Sequence, residues 1–218
     1  MHPPKLNVKG IMFDLDGTIL DTKPAYIEAA RIALQTLGLK IPETAKLLEI
    51  PKRLEQKQPI SDIVQRGTKD FLDLYLKTFY RIAASQTEPV PCVTETLETL
   101  SKKAKLAVIT MRFMPKELIA SELKQFNLDK YFAHIVTALD TAKPKPSPEA
   151  LIKAVAAMDV QMCECVIVGD SVIDVAAGKA AGAKTVAVLS GLYTREELSK
   201  AKPDFLVDDI AKLPEILE

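Results

Sequence analysis

Short apolar runs recur along the chain and predict its buried strands. Each run has three to six residues and is bounded by polar, glycine or proline positions; the runs are 8–13, 106–110, 134–137, 165–169, 184–188 and 205–207. Continuous apolar runs of this length are typical of strands that are buried on both faces, as in a parallel sheet.

Stretches with helical spacing lie between several of these strands. Residues 115–125 repeat apolar residues at Leu118, Ile119 and Leu123, and residues 148–158 and 172–181 have similar spacing. Gly182 follows the last of these as a helix stop. Strands that alternate with helices predict a doubly wound, Rossmann-like α/β fold with a parallel sheet.

Residues 22–88 interrupt this alternation. Helical patterns at 24–37 and 61–84 follow one another there, with no apolar run of the strand type between them. The simplest interpretation is an all-helical domain inserted after the first strand. We therefore predict an α/β core domain of residues 1–21 and 89–218 and a helical domain of residues 22–88.

Composition narrows the class of partner. Lys and Arg total 29, as do Asp and Glu, so no broad basic field favours nucleic acid. No run approaches the roughly 20 apolar residues of a membrane span, and three cysteines form no disulfide framework. We expect a cytoplasmic protein that binds neither nucleic acid nor membrane, with a monomer as the default.

Acidic and phosphate-binding residue types follow the predicted strands. Asp14 and Asp16 come after the first strand, Thr110 after the next core strand, and Asp170 and Asp174 after the fourth. In open parallel sheets the ligand crevice lies at these carboxyl ends. The pattern therefore predicts one site that gathers side chains from distant parts of the chain.

The chemistry of these residue types points to phosphate esters and magnesium. Converging carboxylates repel one another unless a cation lies between them, and hard oxygen ligands favour Mg²⁺. Lys143 would add positive charge for a transferring phosphoryl group, and the Thr110 hydroxyl, with amides near Met111 and Gly17, would add donors. The predicted ligand is a small phosphorylated metabolite.

The chain resembles the haloacid dehalogenase-like superfamily, and within it the phosphoglycolate phosphatase group. The segments that carry this resemblance are Asp14-Leu15-Asp16-Gly17-Thr18, Thr110, Lys143-Pro144-Lys145-Pro146 and Gly169-Asp170-Ser171-Val172-Ile173-Asp174. They occur in the order and at the usual spacing of the family, and together span most of the chain. The resemblance implies a phosphatase with an α/β core and a helical cap that closes over the site.

The resemblance also implies roles for individual residues. Asp14 would attack phosphorus and form an aspartyl-phosphate, while Asp16 would protonate the leaving oxygen and later activate water. Mg²⁺ would be bound by Asp14, by the backbone carbonyl of Asp16 and by Asp170. Lys143 and Thr110 would hold the phosphate, and Gly17 and Met111 would lie beside it. The residues that would support the site from behind are Asp174, Thr18 and Ser171.

Two positions leave alternatives open. Arg112 stands where many relatives have a different residue pattern after the motif threonine, and a substrate contact and a surface ion pair are equally compatible with it. Lys143 and Lys145 both precede proline, so either could be the motif lysine. We predict Lys143, because the Pro144, Pro146 and Pro148 pattern begins with it.

Other functions remain to be separated from hydrolysis. Halide displacement is disfavoured, because a halide leaving group needs no proton donor and this chain has one in Asp16. A phosphomutase would use the same nucleophile as a phosphatase. Thr18 favours hydrolysis, since mutases often carry Val at this position. A non-enzymatic receiver-like domain or a silent phosphate-binding protein is the alternative outside catalysis. Phosphoglycolate, a sugar phosphate and a nucleotide monophosphate are all open as substrates.

Overall fold

A computed structural model describes residues 5–218, which form two compact units. One unit combines the residues up to Leu20 with Pro89–Glu218, and the other is Asp21–Glu88. The chain therefore leaves the first unit after its opening strand and returns to it near residue 89. The domain boundaries predicted at 22 and 88 lie next to these positions.

The structure has eight strands, which are β1 (Gly10–Phe13), β2 (Leu20–Asp21), β3 (Glu88–Pro89), β4 (Lys105–Ile109), β5 (Phe132–Val136), β6 (Cys165–Gly169), β7 (Lys184–Val188) and β8 (Phe205–Val207) in the described range 5–218. The larger unit is built on a six-stranded parallel sheet in the order β5-β4-β1-β6-β7-β8. A separate two-stranded sheet pairs β2 with β3. The six apolar runs correspond to the six strands of the large sheet, so the predicted α/β fold is confirmed.

Helices connect these strands and also form the second unit. They are α1 (Lys23–Thr36), α2 (Thr44–Glu55), α3 (Thr68–Gln86), α4 (Val93–Ser101), α5 (Lys116–Gln125), α6 (Glu149–Met158), α7 (Val172–Ala181), α8 (Arg195–Ala201) and α9 (Leu213–Ile216). Helix α7 has the predicted bounds and ends at Gly182 with a left-handed φ of 81°. A glycine adopts this conformation without steric cost, which explains the sharp stop.

The sheet is covered on both faces because its strands are apolar on both. Ile11 and Phe13 of β1 pack with Leu97 of α4 and Leu123 of α5 on one face. Met12, the residue between them, packs on the other face in a cluster that includes Leu151 of α6 and Ala177 of α7. Successive side chains of a strand point to opposite faces, so one continuous apolar run supplies both cores.

The second unit has its own apolar core, formed by α1, α2 and α3. The Tyr26 and Phe79 rings stack with centroids 4.8 Å apart, and Phe71 stacks on Tyr75 at 5.6 Å. The predicted helix over 61–84 is wrong at its start, because α3 begins at Thr68 after Gly67, whose φ is 65°. Within the described range 5–218, no helix is both long and apolar enough to cross a membrane.

Candidate active site

Most of the residues predicted to form the site lie at the carboxyl ends of the central strands. Strand β1 lies between β4 and β6, with Phe13 in register with Val108 on one side and Val168 on the other. Asp14 follows Phe13 directly, and its N–H donates to the Val168 carbonyl at 2.9 Å. The sheet ladder thus continues one residue past β1 and fixes the backbone that carries Asp14.

Three carboxylates converge at this edge. Asp14, Asp170 and Asp174 are buried, and one oxygen of each lies within 4.8 Å of the others. Asp14 follows β1, Asp170 follows β6 and Asp174 lies in the first turn of α7. The sequence predicted that all three residues come after strands of the sheet, and the structure brings them together.

Lys145 is the cation within this cluster. Its Nζ lies 2.5 Å from an oxygen of Asp14 and 2.5 Å from an oxygen of Asp174, and it also donates to the Ile109 carbonyl at 3.4 Å. Burial alone would lower the pKa of the Lys145 ammonium, but attraction to the two carboxylates raises it above its ordinary value. The side chain therefore remains positively charged.

The structure places Lys143 elsewhere. Its side chain is exposed, and its backbone N–H donates to the Glu149 carboxylate at 3.0 Å. The preference for Lys143 over Lys145 therefore does not fit this geometry. The Lys-Pro spacing is the same for both lysines, and the path of the loop between β5 and α6 decides that Lys145 turns inward while Lys143 faces solvent.

The net negative charge of the cluster favours a bound divalent cation. Three carboxylates and one ammonium sum to −3 + 1 = −2 when all are ionised. Burial raises the pKa of Asp14 well above its usual range, Lys145 opposes this, and the charges of Asp174 and Asp170 add to it. Uncompensated buried negative charge is costly. A hard cation with oxygen ligands would offset this cost, so the residues present fit Mg²⁺.

The Asp174 side chain is held from both of its oxygens. One accepts from Lys145, and the other accepts from the Ser171 hydroxyl at 2.7 Å and the Ser171 N–H at 3.2 Å. Ser171 is the N-cap of α7, and its hydroxyl in turn accepts from the Asp174 N–H. This capping box explains why Ser and Asp are needed three residues apart. It holds Asp174 facing the cluster.

Asp170 is enclosed by two loops. Its carboxylate accepts from the Thr18 hydroxyl at 3.2 Å and from the Leu192 N–H at 3.3 Å. A β-carbon at Gly191 would overlap this carboxylate, and one at Gly17 would approach it within 3 Å. Both positions therefore need glycine because the backbone passes so close to Asp170; Gly17 also has a φ of 81°.

Asp16 and Arg112 form an ion pair beside the cluster. Arg112 donates from Nη2 to the Asp16 carboxylate at 2.7 Å and from Nε at 3.0 Å, and its Nη1 lies 2.5 Å from Glu122. Arg112 is buried, so the surface ion pair considered from the sequence is wrong in its location. Thr110 is also buried; its hydroxyl accepts from the Arg112 N–H at 3.1 Å. Met111, between them, is half-buried.

Sequence reasoning missed Glu122 and the loop of Ser190, Gly191 and Leu192. Glu122 lies on the buried face of α5, where its place in the helical pattern gave no sign of a buried charge. The loop directly follows β7, another strand end, and Ser190 donates its hydroxyl to the Gly17 carbonyl at 2.6 Å. Its position after a predicted strand was the available signal.

Comparisons with known proteins identify the family of this chain. Residues 11–188 match the family model described as haloacid dehalogenase-like hydrolase. A phosphoglycolate phosphatase of Vibrio parahaemolyticus is 30% identical, with 97% of this chain and 96% of that protein covered. A pyrophosphatase PpaX of Anoxybacillus flavithermus is 29% identical over 97% of this chain and 98% of its own.

A solved structure shares the fold. It is a haloacid dehalogenase-like family hydrolase of Streptococcus pneumoniae with a TM-score of 0.81 and 17% identity, covering 96% of this chain and 98% of that one. At this identity the likeness concerns the fold alone. The central parallel sheet and its helices are therefore an architecture that this chain shares with a protein of very different sequence.

Proposed function

The chain belongs to the haloacid dehalogenase-like hydrolases and is a phosphatase of that family, and we propose that it hydrolyses small phosphate monoesters with Mg²⁺ through an aspartyl-phosphate on Asp14. The observation that supports this most directly is the buried set of Asp14, Lys145, Asp170 and Asp174 at the end of β1. It combines a nucleophile, a cation and a candidate metal site at one point.

In the first step an oxygen of Asp14 attacks phosphorus, and the bond from phosphorus to the leaving oxygen breaks. Lys145 balances negative charge on the phosphoryl oxygens and keeps Asp14 turned toward the substrate. Thr110, buried at the end of β4, offers a hydroxyl for a phosphate oxygen. Such preorganised positive charge and donors supply most of the catalysis in phosphoryl transfer.

Asp16 is assigned the proton transfers. It gives a proton to the leaving oxygen in the first step. In the second, it takes a proton from the water that attacks phosphorus, so phosphate leaves and the Asp14 carboxylate is restored. Its side chain is 14% exposed, compared with 2% for its partner Arg112, so one side of the carboxylate stays open to reactants. A hydrogen-bonded general acid and base contributes about 10²- to 10⁴-fold in rate.

Mg²⁺ would be held by Asp14, Asp170 and the backbone carbonyl of Asp16, with Asp174 close by. When bound, it supplies positive charge that neutralises the clustered carboxylates and the substrate phosphate. The close approach of Gly17 and Gly191 to Asp170 supports this assignment, because the loops hold that carboxylate in the cluster.

Two substrate classes have specific support. A relative named phosphoglycolate phosphatase favours a small organic phosphate, while a relative named pyrophosphatase PpaX favours inorganic pyrophosphate as a second candidate. We propose the monoester first, because Asp16 provides the proton that an alkoxide leaving group needs and a departing phosphate needs less. A phosphomutase of the same family is the alternative reaction.

The helical unit, Asp21–Glu88, is proposed to choose among these substrates, as the family resemblance implies. We also propose a cytoplasmic setting, supported by three free cysteines, two of them exposed. A protein with exposed thiols is suited to a reducing compartment.

Phosphate release from a panel of esters tests the proposal. The panel contains phosphoglycolate, a sugar phosphate, a nucleotide monophosphate and pyrophosphate, each with Mg²⁺. Asp14→Asn should lose turnover while remaining folded by circular dichroism, whereas Asp208→Asn, which alters an exposed carboxylate paired with Arg195, should match wild type. Multiple turnovers by Asp14→Asn would refute the nucleophile, and transfer between sugar phosphates without phosphate release would favour the mutase.

A further inference from the structure

A buried arginine stands between the candidate acid–base residue and a second carboxylate. The Arg112 side chain is 2% exposed and the Glu122 side chain 3% exposed, both far more enclosed than Asp16. Burying an arginine and a glutamate away from water is unfavourable unless their geometry is well satisfied. Such an arrangement beside a reactive carboxylate calls for a functional explanation.

Each of the three nitrogens of the Arg112 guanidinium faces one of two carboxylates. Nε and Nη2 face the Asp16 carboxylate, and Nη1 faces Glu122 on α5. Two parallel donors fix both the position and the rotation of a carboxylate, which a single donor cannot do. Asp16 therefore has one preferred orientation. Arg112, in the loop after β4, sets this orientation, and Glu122 on α5 holds Arg112 in place.

Substrate contact is the other role that Arg112 could have. A phosphate on the substrate would have to reach a side chain that is almost fully enclosed and whose three nitrogens already face carboxylates. An arginine stays charged in proteins, so the guanidinium can pair with both carboxylates at once. The contacts favour a role through Asp16.

We propose that Arg112, braced by Glu122, is a positioning residue that holds the Asp16 carboxylate in the orientation needed for proton transfer. This inference rests on the acid–base role proposed for Asp16. In this scheme Arg112 acts through the Asp16 carboxylate and does not contact the phosphate or the leaving oxygen. Glu122 prevents the arginine from turning away, so α5, which supplies no catalytic residue, contributes to the rate.

Three variants separate orientation from charge and from folding. Arg112→Lys keeps the charge but loses the paired donors. Arg112→Gln alone would leave Glu122 buried without its cation, so the double variant Arg112→Gln/Glu122→Gln removes both charges together and protects the fold. Arg195→Gln, which disrupts an exposed arginine–carboxylate pair at Asp208, is the matched control. Circular dichroism and thermal unfolding establish that each variant is folded.

The expected result is a loss in kcat with KM nearly unchanged. A displacement of about 1 Å in a reacting group can cost about 100-fold, so we expect both Arg112 variants to lose about 10- to 100-fold in kcat on an alkyl phosphate. With p-nitrophenyl phosphate, the first burst of nitrophenolate should remain fast because this leaving group needs no proton. Later turnovers should slow, because water activation still needs Asp16.

A double-mutant cycle with Asp16→Asn completes the test. In the Asp16→Asn background, the Arg112→Gln/Glu122→Gln changes should lower kcat by less than about 2-fold, since the residue being positioned no longer acts. A large KM increase with unchanged kcat would instead show a substrate contact. Equal loss of burst and turnover, full additivity in the cycle, or wild-type kinetics of both Arg112 variants would each overturn the inference.

The Asp14→Asn variant distinguishes failure of this inference from failure of the proposed function. If Asp14→Asn is inactive while the Arg112 variants behave additively with Asp16→Asn, the positioning role is wrong and the phosphatase mechanism stands. If Asp14→Asn turns over, the mechanism itself is wrong, and the positioning role falls with it.

Discussion

Replacing Lys145 by methionine is the sharpest test of how the carboxylate cluster is held. Methionine keeps an unbranched side chain of similar length and removes the charge. In the protein, the Lys145 ammonium lies 2.5 Å from oxygens of both Asp14 and Asp174 with its side chain 2% exposed. The substitution changes the net charge of the ionised cluster from −2 to −3.

The magnitude follows from removing one partner of a buried ion pair. Such changes cost about 3–5 kcal/mol, since the remaining charge stays buried without compensation. For a protein of this size, each kcal/mol corresponds to about 2–4 °C in Tm. We therefore expect Lys145→Met to lower Tm by about 6–20 °C without Mg²⁺. The loss of a charged donor at the phosphoryl group should also lower kcat by about 10²- to 10³-fold.

Lys143→Met is the matched control, because it lies two residues away in the same Lys-Pro context and is exposed. Surface substitutions usually change stability by less than about 0.5 kcal/mol, so its Tm and kcat should stay close to wild type. Thermal unfolding and phosphate release are measured on both variants. A Lys145→Met protein with wild-type Tm and activity, or a larger loss for Lys143→Met, would refute the assignment of Lys145.

Three further predictions address the metal, a loop and a thiol. Chelation should abolish turnover, and Mg²⁺ at 100 times its Kd should restore it and add about 2.7 kcal/mol of stability; activity indifferent to chelator would contradict the metal site. Gly191→Ala, whose β-carbon would overlap Asp170, should weaken Mg²⁺ binding about 10- to 100-fold by calorimetry, and unchanged affinity would argue against Asp170 as a ligand. Burial, then the Glu164 charge, raises the pKa of Cys165 to about 11. Because Cys165 is also buried and Cys163 is exposed, iodoacetamide at pH 8 should label Cys163 and spare Cys165 in the native protein; equal labelling would contradict this. Because the folded pKa of Cys165 lies above its unfolded value of about 8.5, any stability from its neutral form should be present below pH 8.5 and fall as pH rises toward 11.

The family resemblance and the α/β fold were accessible from the sequence because they depend on local patterns. Strands buried on both faces leave continuous apolar runs, and the runs at 165–169, 184–188 and 205–207 have the bounds that the structure has. Helix α3 shows the limit of this approach. The sequence pattern predicted a helix from Ser61. In the structure Gly67 has a left-handed conformation, and the helix begins only after it, at Thr68.

The chain order of strands and loops also determined that Asp14, Thr110 and Asp170 would lie at one edge. Parallel strands end on the same side of a sheet, so any residue that directly follows a central strand is brought to that edge. The capping relation between Ser171 and Asp174 is equally local, because it needs only a spacing of three residues at the start of a helix.

Only the tertiary structure decided which lysine meets Asp14 and what Arg112 contacts. Lys145 reaches Asp14 across 131 positions of the chain, and two Lys-Pro pairs in one loop look alike until the loop is folded. Arg112 and Asp16 are 96 positions apart in the chain. Glu122 lies on α5, so its ion pair with Arg112 depends on where that helix packs. Local patterns place residues on elements, whereas buried charges find partners through packing between elements, and that packing appears only in the folded chain.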